Sequence, residues 1–184
     1  MADVLNVTAG KPNISGAIYY APLGTTLPDD TTDSLSSFTE LGYASEDGIT
    51  NTNTPESEVR RAWGGDVVLT MQTSKDDLFK FKLIEALNDD VLKAVYNSGN
   101  VAATSEGFKV EVTSDEAEGN SWVIDMTLRN NTAKRIVIPN AKITEVGDIV
   151  YSDNEAVGYE ITLTCMPDTD GVNHYEYFKE AASA

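Results

Sequence analysis

The chain has 184 residues, 41% of them hydrophobic, which suffices for one well-cored domain and falls short of two. Its formal net charge is −17, from 30 acids against 13 bases, so its surface repels nucleic acid, whose backbone is held mainly by Lys and Arg. No apolar run is long enough to span a bilayer, and "MADVLNVTAG" has neither the basic start nor the apolar stretch of a secretory signal, so a soluble protein made in a cytoplasm, without membrane contact, is expected.

In chain order, an irregular N-terminal arm to Gly16 precedes a short strand in "GAIYYAP". The Thr-, Asp- and Ser-rich stretch Leu23–Ser37 then reads as a loop that is mobile or ordered by a partner. After a strand in "FTELGYA" comes "SEDGITNTNTPESEVRRAWGGD", Ser45 to Asp66, a polar excursion far longer than the turn two strands require. Trp63, between Arg60-Arg61-Ala62 and Gly64-Gly65, reads as an exposed contact anchor.

Strands return with "DVVLTMQ" and "LFKFKLI", the latter setting Phe79, Phe81 and Leu83 opposite Lys80 and Lys82. One helix is predicted in "NDDVLKAVYNSG": Asn88 is the N-cap, Asp89 and Asp90 suit the first turn, and Gly99 is the stop. Val91, Leu92, Val95 and Tyr96 form its apolar stripe. Further strands place Phe108, Val110 and Val112 opposite Lys109, Glu111 and Thr113, and Trp122, Ile124, Met126 and Leu128 opposite Ser121, Val123, Asp125, Thr127 and Arg129. "RIVIP" and "AKITEV" are shorter candidates, and "VGYEITLTC" points Val157, Tyr159, Ile161, Leu163 and Cys165 one way. Short strands with a single helix argue for a mainly β protein, two packed antiparallel sheets of sandwich or barrel type with one flanking α-helix and a long polar arm. The expected organisation is a single domain over 1–184, with an N-terminal arm (1–16), the long polar loop (45–66) and a C-terminal extension (167–184).

Catalytic patterns are missing. The sole histidine, His174, reads as exposed or packed on aromatics, and the sole cysteine, Cys165, points at the core. "PDTDGVNHYEYFKE" fails as a calcium loop, because Gly171 follows Asp170 directly and Lys179 stands where a bidentate Glu is required. No phosphate loop, dinucleotide fingerprint or nucleophile elbow occurs, so no enzyme activity, cofactor or metal is expected.

Read together, "GAIYYAPLGTTLP", "ELGYASEDGITNTNTPESEVRRAWGGDVVLTMQT", "FKLIEALNDDVLKAVY" and "RIVIPNAKITEVGDIVYSDNEAVGYEITLTCMPD" closely resemble the major tail (tail tube) proteins of long-tailed phages, from about Gly16 to Phe178. The resemblance implies a structural virion protein of the phage tail, whose subunits close into six-membered rings that stack into the tube through which DNA is ejected. It implies as partners further copies of the chain and the tape-measure, distal-tail and tail-terminator proteins, with DNA passing through unbound. The long arm is then expected to order against a neighbouring ring, with Thr50, Asn51, Thr52, Asn53, Thr54, Pro55, Glu56, Glu58, Arg60, Arg61 and Trp63 as contact residues. Candidates for the lumen face are Glu111, Thr113, Asp125 and Thr127. The rival readings are a monomeric β-sandwich adhesion or carbohydrate-binding module, which would show a concave aromatic platform, and an enzyme, which would show convergent titratable groups.

Overall fold

The structure, a computed structural model, describes residues 7–13 and 16–180. The remainder of the expected N-terminal arm and the end of the C-terminal extension lie outside the described residues. In chain order the strands are β1 (Lys11–Pro12), β2 (Ile18–Pro22), β3 (Thr39–Glu40), β4 (Ala44–Arg61) and β5 (Val67–Leu83), followed by the helix α1 (Asp89–Tyr96). Then come β6 (Val101–Thr104), β7 (Gly107–Val110), β8 (Asn120–Thr127), β9 (Ala133–Val146), β10 (Tyr159–Cys165) and β11 (Tyr175–Lys179).

All pairings are antiparallel. A 9-stranded sheet runs in the order β3-β2-β8-β9-β10-β5-β4, with β1 added on β8 and β11 on β9, and β6 and β7 form a second, 2-stranded sheet. A flat sheet would hold β8 and β5 roughly 14 Å apart, three steps of about 4.8 Å. Yet Phe81 of β5 and Trp122 of β8 have ring centroids only 6.2 Å apart, inclined at 64°. The large sheet therefore curls until its halves face each other, and the mainly β sandwich expected from the alternation is what forms. Ile18, Phe79, Leu83, Ile124, Ile138, Ile161 and Leu163 fill the space between.

The predicted alternation in "LFKFKLI" and "VGYEITLTC" holds: Phe79, Phe81, Leu83, Tyr159, Ile161, Leu163 and Cys165 are all buried. The helix is capped as predicted, with Asn88 Oδ1 accepting from Asp90 N at 3.0 Å, but it stops at Tyr96 rather than running on to Gly99. Asn97 takes a φ of +69°, which breaks the helical run and leads into a 3-10 turn over Ser98–Asn100. Val91, Leu92 and Val95 sit in the main core, Tyr96 meets Tyr159 edge-on at 5.8 Å, and Val101 and Val110 bring the small sheet against the same core. In that sheet Phe108 stays exposed.

Four local expectations are corrected. "RIVIP" and "AKITEV" are one strand, β9, bent where Pro139 has no N–H to give the ladder: β8 pairing skips from Trp122↔Ile138 to Asn120↔Ala141, and Ser121 Oγ donates to the Pro139 carbonyl at 2.7 Å. Ser121 and Val123, expected on a solvated face, are buried. The reason is the third correction: the 23–37 stretch is ordered by its own chain, because Leu27, Leu35 and Phe38 pack with Ala21, Val123 and Val137 in a second small core. Arg135 ties this loop down, donating to the carbonyls of Asp30 and Asp33 at 2.9 Å each. Fourth, Ser45–Asp66 is not a loop but the outgoing strand and turn of a β-hairpin.

Candidate functional site

Strand β4 pairs with β5 from Ala44↔Leu83 to Arg61↔Val67, one of the longest ladders in the chain. Threonines at 50, 52 and 54 alternate with asparagines at 51 and 53, and β-branched Thr suits extended backbone. Pro55 is tolerated because β4 is the sheet's edge, with only β5 for a neighbour. The ladder slips between Glu56 and Ser57 and again between Arg60 and Arg61, which adds twist to the ribbon.

Beyond Asn51 the ribbon leaves the body of the protein, and β4 residues 51–61 are exposed. Its turn is closed by Ala62 N to Asp66 O at 2.8 Å and Gly65 N to Ala62 O at 3.0 Å. Gly64 and Gly65 hold φ of +119° and +100°, a region that a Cβ disfavours, so the two glycines make this tip possible. Arg61 donates from Nη1 to the Gly65 carbonyl at 2.9 Å. Trp63 stands at the apex with a relative exposure of 107%, fully in solvent as its neighbours suggested.

Most of the predicted contact residues therefore lie along this one ribbon, but they differ in what they can offer a partner. Thr52, Asn53, Thr54 and Pro55 are exposed along the stem. Glu56 accepts from Ser74 Oγ at 3.1 Å, and Glu58 pairs with Arg60 at 3.2 Å, both links on the surface. Thr50 lies opposite Lys80 at the root. Asn51 is committed inward: its Nδ2 donates to Asp77 Oδ1 at 2.8 Å and to the Leu78 carbonyl at 3.1 Å.

The return strand supplies residues that the sequence reading assigned to an ordinary strand. Val67, Val68, Leu69 and Met71 are all exposed, as is Val59 across from them. A run of adjacent apolar residues directly after a double-glycine turn, facing a polar partner strand, was the available signal: both faces of this segment are apolar, and among the described residues none covers them.

At the root, Asp77 is buried and held between Asn51 and His174, whose Nδ1 lies 2.5 Å from Asp77 Oδ2. His174 also meets the Phe79 ring edge-on at 5.2 Å, so of the two expected situations, exposed or packed on aromatics, it takes the second. Its other nitrogen is 3.9 Å from Glu176 Oε1, so the imidazole lies between two carboxylates, and among the described residues no hydroxyl or thiol is hydrogen-bonded to it. Burial pushes the Cys165 thiol up to about 12, which leaves it protonated and unreactive.

The four lumen candidates are not brought together. Glu111 and Thr113 are exposed beyond β7; Glu111 pairs with Lys109, and Thr113 Oγ1 donates to Asp115 Oδ2 at 2.8 Å. Asp125 is turned inward, both carboxylate oxygens accepting from Arg135 at 2.7 Å. Thr127 closes β8 opposite Ala133 and Lys11.

Among the described residues no group of three or more His, Cys, Asp or Glu is placed to hold a metal ion, and no helix is long and apolar enough to cross a membrane. A family model described as phage tail tube protein matches residues 7–184. No curated protein matches the chain.

Proposed function

The chain belongs to the phage tail tube protein family and is a structural component of the virion tail, and from that premise we propose that its subunits close into six-membered rings which stack into the conduit for DNA ejection. The observation that carries this reading is the projecting hairpin. A two-stranded ribbon standing free of any third strand is marginally stable in water, and this one ends in Trp63 with Val59, Val67, Val68, Leu69 and Met71 exposed around it. Exposed edges and apolar tips invite pairing with another chain, and in a tube subunit that pairing is the function. The excess of acids, −17 overall, suits a conduit that DNA must pass without adhering. Subunits made in a host cytoplasm would meet tape-measure, distal-tail and terminator proteins at the two ends of the tube. The reading includes no catalytic step, since its chemistry is one of surfaces.

Negative-stain microscopy of the full chain is expected to show rings or tubes. A variant in which residues 54–74 are replaced by a short Gly-Asn turn is expected to keep its melting temperature within about 3 °C, because those residues touch no core, and to form no tubes. A monodisperse 19.9 kDa species under all assembly conditions would favour the monomeric binding module instead. Tubes of normal length from the shortened chain would overturn the role given to the hairpin.

A further inference from the structure

Asp77 sits where the hairpin leaves the body. It is the first buried residue of β5 counted from the tip, and the ladder between β10 and β5 ends beside it, at Thr164↔Leu78. On the tip side of that pair, among the described residues, the ribbon has no third strand and its other side-chain bonds run within itself: Thr73 and Ser74 to Glu56, Arg60 to Glu58, and Arg61 to the Gly65 carbonyl. Asp77 is the exception. Its Oδ1 accepts from Asn51 of β4, and its Oδ2 meets Nδ1 of His174, the residue that leads into β11.

The imidazole is itself held firmly. It packs edge-on against Phe79, and its Nε2 lies 3.9 Å from Glu176, which Lys134 of β9 grips at 2.8 Å. Behind it, β11 is laid on β9 from Tyr175↔Val137 to Lys179↔Ala133.

We infer that the hairpin pivots at Asp77 and Leu78 and that His174 is the latch that fixes its direction, so the C-terminal strand aims the arm through one side chain. A lone two-stranded ribbon is only marginally stable, and its ladder bonds keep the two strands together without fixing the angle they make with the body. The clasp fixes that angle, because swinging the ribbon would draw the buried carboxylate away from the imidazole and leave it short of a partner. Leverage makes the angle matter: from Asp77 to Val67 the strand covers roughly 33 Å at about 3.3 Å per residue, so a rotation of about 10° at the root carries the tip by about 6 Å. That is enough to take Trp63 out of any contact it makes. An arm already aimed loses less freedom when it meets a partner. This last consequence rests on the tail-tube reading, whereas the latch is a property of the free chain.

The test is therefore made on the free full-length chain, with nitroxide labels at Ala62→Cys on the tip and Thr144→Cys on the body; Cys165 is buried and stays unlabelled. Pulsed electron-spin distance measurement is expected to give one narrow distribution. His174→Ala should at least double its width, and His174→Asn, which keeps a donor near the same place, should narrow it again. If His174→Ala alone does not fold, Asp77→Asn combined with His174→Ala removes the clasp without stranding a buried charge and should give the same broadening. Asp125→Ala breaks the ion pair with Arg135, away from the hairpin, and should leave the width unchanged, which separates a latch from general loosening. A broad distribution with His174 in place, an unchanged width without it, or equal broadening in Asp125→Ala would each overturn the latch. None of these outcomes depends on whether copies of the chain form rings or tubes.

Discussion

His174 and Asp77, 97 positions apart in sequence, meet at the hairpin root with Nδ1 2.5 Å from Oδ2, and the Asp77 carboxylate is wholly out of solvent. Among the described residues, the imidazole and the Asn51 amide are the two side chains within hydrogen-bond reach of that carboxylate. His174→Ala is expected to cost about 3 kcal/mol in urea denaturation, because it leaves a buried carboxylate short of a partner. His174→Asn, which keeps a donor near the same place, should recover part of that loss. Midpoints equal to wild type for His174→Ala would show that water or a shifted side chain replaces the clasp.

An internal ion pair holds a loop in place. Arg135 is buried and donates to both oxygens of Asp125 and to the carbonyls of Asp30 and Asp33. The bond to Asp125 raises its pKa, so it stays charged. Asp125→Ala strands that cation and is expected to cost about 3 kcal/mol, while the pair Asp125→Leu with Arg135→Met should recover at least half, since apolar replacements bury no charge. Limited proteolysis within 25–37 should accelerate in the single variant. Unchanged cleavage there would mean that Leu27, Leu35 and Phe38 hold the loop by themselves.

A pH effect is expected in the turn before β11. Asp168 accepts from the backbone N–H of Val172 and from the Tyr175 hydroxyl, at 2.9 and 2.7 Å, and these bonds hold its carboxyl below the usual range. The same bond pushes Tyr175 up to about 12. A depressed carboxyl stabilises the folded turn above its ordinary value of about 3.9 and loses that contribution as pH falls through the folded value. A raised phenol contributes below about 10 and loses its share as pH rises towards the folded value. Protection of the amides at Val172 and across β11, measured as exchange relative to the unstructured rate at each pH, should therefore be greatest between these limits. In Asp168→Asn, Tyr175 should titrate near 10, and an unchanged tyrosine titration would contradict the assignment.

Hydrogen exchange separates the two halves of the hairpin. Amides of β5 from Leu78 to Leu83 sit between β4 and β10 and are expected to exchange slowly in the free subunit. Those from Thr54 to Ser74 have a single partner strand and should exchange at least a hundredfold faster. In assembled tubes the distal segment should slow to the rate of the body. Equal rates in the free subunit would show that the ribbon is stable without a partner.

Much of the body was legible in the sequence because its signals are local. Period-two alternation marked Phe79, Phe81 and Leu83, Trp122 and Ile124, and Tyr159 to Cys165, since successive side chains on a strand face opposite ways whatever lies around them. Asn88 marked the helix start for the same reason: a cap is completed within one turn. Trp63 announced an exposed apex by its flanking arginines and glycines. Tertiary structure decided the rest. Polarity made Ser45–Arg61 resemble a loop, but polarity reports what covers a segment and not whether its backbone is paired, and β5 supplies the pairing. Val67 to Met71 has the composition of a core strand and lies in solvent, while Ser121 and Val123, expected on a solvated face, are buried, Val123 beneath a loop nearly a hundred residues earlier. The clasp of His174 on Asp77 and that of Arg135 on the carbonyls of Asp30 and Asp33 join residues far apart along the chain. No local pattern encodes such contacts; they exist only once the sheet has curled and brought distant strands to the same end of the molecule.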